Sequence, residues 1–148
     1  MENVKETYKD DDWYYIGEQM SNKINFILRN NGTKYLEDVS IVFKIPKELV
    51  GVMDRVHSKP KSGYESLIAS NISNLPNYYP NVVEEDGCYI VNEDIGALKH
   101  HQDTEVFNEH LRVFFGPKSR NKSFTWSYII YAKNLPNPIN GELTVEVI

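Results

Sequence analysis

The chain has 148 residues, of which 25% are charged and 41% apolar, and its formal net charge is −5. A chain of this length buries roughly 68–70% of its unfolded surface, enough for one core, so the composition excludes a disordered protein. The acidic balance argues against a protein that holds nucleic acid chiefly by charge, which needs a dominant basic face.

Residues 1–12 are polar and end in Asp10-Asp11-Asp12, which reads as a solvated arm. Residues 13–16 have the composition of a short edge strand. In residues 23–29, Ile24, Phe26 and Leu28 alternate onto one face, the pattern of a half-buried strand. Asn30-Asn31-Gly32-Thr33 reads as a turn in which Gly32 is free to take positive φ. Across residues 37–45, Val39, Ile41, Phe43 and Ile45 point inward, and Pro46 stops the strand. Residues 51–57 suggest a further strand marked by Val52 and Val56.

From residue 58 to residue 86 the alternation disappears, about thirty residues where most connections take 4–6. A loop of that length is usually functional or hides regular structure. Regular structure resumes over residues 88–91, 95–98 and 111–115. The clearest strand covers residues 124–132, with Phe124, Trp126, Tyr128, Ile130 and Ala132 on one face. Residues 134–141 read as a turn-rich connection, and residues 143–147 alternate again. About seven to nine short strands with Gly, Pro and Asn turns predict an all-β chain. The expected fold is an immunoglobulin-like antiparallel β-sandwich with one long irregular insertion at 58–86, spanning residues 13–148 as a single domain. Trp126 is its expected aromatic centre.

Two stretches carry a resemblance. Phe26-Ile27-Leu28-Arg29-Asn30-Asn31-Gly32-Thr33, followed by residues 36–46, is similar to a recurring immunoglobulin-like pattern of paired strands around an Asn-x-Gly-Thr turn. Residues 131–145, from Tyr131-Ala132-Lys133-Asn134 to Leu143-Thr144-Val145, resemble the closing hairpin of sandwich domains at the C-termini of some bacterial Schlafen-like ATP-binding and DNA-binding proteins. Ile95-Gly96-Ala97-Leu98-Lys99-His100 resembles an internal strand of those domains. The resemblance implies a sandwich fold and an accessory role, and no catalytic residue travels with it.

No catalytic motif is present. There is no phosphate-cradling glycine loop and no nucleophile elbow beside His57 and Ser58. Cys88, the single cysteine, cannot form an intramolecular disulfide, and its apolar strand suggests an inert thiol. Glu84, Glu85 and Asp86 read as a charged turn, since carboxylates that work as a pair must face each other across a cleft. His100 and His101 head the best metal candidate, with Asp103, Glu105, Glu109 and His110 nearby. Adjacent strand residues point to opposite faces, however, so no metal site and no cofactor is expected.

The expected function is that of a non-enzymatic interaction or accessory module. It would bind another protein or protein domain through sheet edges and the 58–86 loop. The partner-binding candidates are Tyr64, Tyr78 and Tyr79 in that loop, and Lys118, Arg120 and Lys122 on a basic hairpin tip. Tyrosines on a long loop give large contact area at low entropy cost. The alternative is a module that binds a small carbohydrate or nucleotide through the same loop aromatics. No apolar run approaches the roughly 20 residues needed to span a bilayer. Residues 1–6 lack a charged-then-apolar leader, so a cytoplasmic setting without membrane attachment is expected.

Overall fold

The computed structural model describes Tyr15 and residues 20–56 and 78–148. The strand expected at residues 13–16 lies outside the described residues, except for Tyr15, which is exposed. Ten strands follow in order: β1 (Asn22–Ile24), β2 (Ile27–Arg29), β3 (Leu36–Pro46), β4 (Val50–Val52), β5 (Asn81–Glu85), β6 (Cys88–Leu98), β7 (Asp103–Glu105), β8 (Leu111–Phe115), β9 (Ser123–Tyr131) and β10 (Ile139–Glu146). One sheet has five strands in the order β10-β9-β3-β6-β5, and all its pairs are antiparallel. Facing it are a three-stranded sheet, β1-β8-β4, and a two-stranded ladder, β2-β7. The fold is the expected all-β sandwich.

β3 is the central strand. Its inward residues Val39, Ile41, Phe43 and Ile45 are all at or below 1% exposure. Ile41, Phe43 and Ile45 pack with Val91 and Trp126 of their own sheet and with Val50, Val52, Leu111 and Val113 of the opposite one. Phe26, Leu28, Tyr128, Ile130, Leu143 and Val145 close the margins of this core. Trp126 stacks on Phe115 across the sheets, with ring centroids 6.4 Å apart and planes 7° from parallel.

The single strand expected at residues 23–29 is two. The Asn25 side chain interrupts it by imitating a backbone peptide: its Nδ2 donates to the Phe107 carbonyl, and its Oδ1 accepts from the Phe107 and Phe26 amides, each at 2.9 Å. This substitution lets residues 106–110 leave the ladder, and it drops Phe107 fully into the core. Phe107 meets both Phe26 and Phe43 at centroid distances of 5.9 Å.

Conversely, residues 88–91 and 95–98 belong to one strand, β6. The register between β3 and β6 shifts on both sides of the Val39↔Gly96 pair. Asp38 and Gly96 hold positive φ there, at 48° and 85°. One extra residue on each strand makes the two bulges cancel, but each reverses which residues face inward. Val91 and Ile95 face the core before the bulge and Leu98 after it.

Other turns also differ from expectation. Gly32 is not among the positive-φ glycines, Gly87 and Gly96. Its turn is held instead by the Asn30 side chain, which accepts from the Gly32 amide at 2.9 Å and donates to the Lys34 carbonyl at 2.7 Å. Gly141 lies inside β10 rather than in a turn. It faces Tyr128 of β9, whose ring occupies the space a Cβ would need. Val52 is buried as expected, whereas Val56 is exposed beyond the end of β4.

Replacing Trp126 with alanine removes the largest fully buried side chain among the described residues. The expected cost is about 3–5 kcal/mol, the usual range for a buried aromatic. Urea unfolding of the variant measures it, and a loss under about 1 kcal/mol contradicts this packing.

Candidate partner-binding surface

The long loop expected at 58–86 is shorter than it looked. Its last part is β5, an edge strand paired with β6. The two strands join through Asp86 and Gly87, both at positive φ (48° and 73°), which is the two-residue hairpin geometry that matches strand twist. Glu84 and Glu85 therefore lie on a strand and do not face each other. Glu84 instead accepts from the Lys47 ammonium at 2.7 Å, and Lys47 lies over the Tyr89 ring.

The rest of the expected loop, residues 57–77, lies outside the described residues. Tyr79 ties together the stretches that flank it. The Tyr79 hydroxyl donates to the Met53 carbonyl at 2.7 Å and accepts from the Arg112 amide at 3.0 Å. The Met53 amide in turn donates to the Arg112 carbonyl at 3.0 Å. One phenol is thus spliced into the β4–β8 ladder, just where β4 ends. The ring is 7% exposed, with the Arg112 guanidinium 5.9 Å from its centroid. Arg112 is itself buried and pairs with Glu109 and the His110 carbonyl, so its charge is compensated.

Tyr79 is consequently a structural residue, contrary to the expectation that its ring faces outward. Its hydroxyl satisfies backbone groups that would otherwise lose a partner at the ladder's end. Tyr78, its neighbour, is 62% exposed. Tyr64 lies outside the described residues.

The basic segment is placed differently too. Lys118, Arg120 and Lys122 are exposed, but they do not sit on a hairpin tip. They belong to the connection that carries the chain from β8 in one sheet to β9 in the other. Ser119 anchors this connection by donating to the Gly116 carbonyl, and the Asn121 amide donates to Val147 at 2.7 Å. Tyr79 contacts the start of β8 at Arg112, whereas the basic connection leaves its other end. The structure does not bring the two groups together.

His100 and His101 also depart from expectation. His101 has φ of 60°, so the chain turns there and the pair is not splayed across a strand. Their rings meet edge-on with centroids 5.4 Å apart, and His100 packs on Tyr35 at 4.8 Å. Among the described residues, no three His, Cys, Asp or Glu side chains are grouped to hold a metal ion. Cys88 is half-buried on the outward face, opposite Pro46 and Glu85, rather than in the core. His57 and Asp10, Asp11 and Asp12 lie outside the described residues.

Glu93 is the one acid that β6 directs inward, opposite Ile41. Burial, and then the Asp94 carboxylate beside it, raise its pKa above the ordinary carboxylate value. The neutral form is the one the fold favours. Its contribution is fully present below the ordinary carboxylate pKa and is lost as pH rises through the raised value.

In comparisons with known proteins, no family model, no curated protein and no solved structure matches the chain. No helix among the described residues is long and apolar enough to cross a membrane.

Tyr79→Phe removes the hydroxyl but keeps the ring. It should cost about 1–3 kcal/mol, the range for depriving buried polar groups of a hydrogen-bond partner. Chemical denaturation checks this, and an unchanged midpoint would show that the phenol does not complete the ladder.

Proposed function

We propose that this chain is a non-enzymatic interaction module that binds another protein through the insertion carried between Val56 and Tyr78. The observation that supports this reading is the Tyr79 closure. It joins the two ends of a segment of about twenty residues at one point of a rigid sandwich. Loops anchored at both ends on a scaffold are common recognition elements, and the exposed Tyr78 borders residues 57–77. The resemblance to accessory sandwich domains of bacterial Schlafen-like proteins agrees with a role beside a catalytic partner in the cytoplasm. The basic connection at Lys118, Arg120 and Lys122 is a separate surface in this reading. It adds charge steering toward an acidic partner rather than contact at the loop.

Tyr78 is the residue that separates binding from folding. A partner recovered from the native cell by affinity capture should bind the Tyr78→Ser variant at least tenfold more weakly, about 1.4 kcal/mol. The thermal midpoint should stay within a few degrees. Equal affinity for the variant and the original protein would contradict the proposal.

A further inference from the structure

The outward face of the five-stranded sheet is polar at most positions, as a one-sided sheet normally is, but an apolar band crosses it. The register places Val83, Ile90, Val42, Ile129 and Tyr131 on it. Val83 lies directly opposite Ile90, and Val42 directly opposite Ile129. Ile90 pairs with Lys44, two residues along β3 from Val42, and Tyr131 follows Ile129 by two on β9. Directly opposite and diagonal neighbours of this kind lie within side-chain reach, so the five mark one band across β5, β6, β3 and β9. Val83 is 51% exposed and Tyr131 44%, while the three residues between them are half-buried.

The charges on the same face are one-sided. Glu85, Asp94, Glu142 and Glu146 lie around the band, and Lys44 is the one base on these strands. All five are exposed. A second copy of the chain docked face to face would bring a second set of these four acids into the same interface against one more base, which costs energy. Residues 1–20 carry six acids and two bases, so that segment has the wrong charge as well.

We propose that this face docks a partner protein whose contact surface has an apolar centre and a basic rim. The apolar band supplies the desolvated centre of the interface, and the acids select the partner and speed the encounter.

The test uses the full chain and three synthetic probes: an amphipathic leucine–lysine peptide, its leucine–glutamate counterpart, and oligolysine. At physiological salt the leucine–lysine peptide should bind at least tenfold more tightly than either of the others. Combining Val83→Thr, Ile129→Thr and Tyr131→Thr, which retains β-branched residues on the strands, should weaken that binding at least tenfold. If the triple variant does not fold, Tyr131→Thr alone should weaken it about threefold. Equal binding of oligolysine, or undiminished binding by the folded variants, would overturn the proposal. So would a dimer in sedimentation that the substitutions dissolve, which would make a second copy the occupant. Binding that emerges only when residues 57–77 are replaced by a Gly-Ser linker would make the chain's own segment the occupant, and would also overturn it.

Discussion

β3 is the constraint on which the rest of the molecule depends. It is hydrogen-bonded on both edges, to β6 and to β9, and its inward residues are sealed from water. Strands bound on one side of it inherit their register from it. β9 then fixes β10, and β6 fixes β5. The facing sheet is held to this platform by side chains rather than by ladders: Val50, Val52, Leu111 and Val113 pack onto Ile41, Phe43 and Ile45. A core assembled from distant strands makes the sandwich cooperative, because no half of it buries its apolar face alone.

That platform decides what the surfaces can do. The Tyr79 closure ties the stretches that flank residues 57–77 to the end of the β4–β8 ladder. The basic connection leaves the far end of β8 and crosses to β9. The outward face of the five-stranded sheet is a third region. Its apolar band exists because Val42, Ile90 and Ile129 occupy outward positions that alternation alone would make polar.

Much of the fold was legible in the sequence because alternation is a direct consequence of one-sided burial. Residues 37–45, 111–115 and 124–132 were read close to their observed limits for that reason. The errors have specific causes. Glu93 takes an inward position between Val91 and Ile95 and breaks the apolar alternation, which makes one long strand look like two short ones, and the paired bulges at Asp38 and Gly96 then reverse the inward set near its end. Asn25 breaks a strand while leaving Ile24, Phe26 and Leu28 on one face, so the break is invisible to periodicity. β5 was the avoidable miss: Asp86-Gly87 between two apolar-containing runs is a strong hairpin signal. Phe107 was missed because its signal, an isolated Val-Phe pair among polar residues, belongs to no repeating pattern. The fates of Tyr78 and Tyr79 could not be read locally. Which of two adjacent tyrosines is buried depends on Met53 and Arg112, far away in the chain, and only the assembled β4–β8 ladder shows that a hydroxyl is needed between them.

The account's central claim is that the Tyr79 closure belongs to the same cooperative unit as the β3 platform. Native-state hydrogen exchange tests this directly, since amides freed only by global unfolding share the global stability. The Arg112 and Met53 amides, which hold the closure, should exchange with the same free energy as the most protected amides of β3. Exchange at Arg112 that is orders of magnitude faster than in β3 would contradict the claim, because the base of the insertion would then open while the sandwich stays folded.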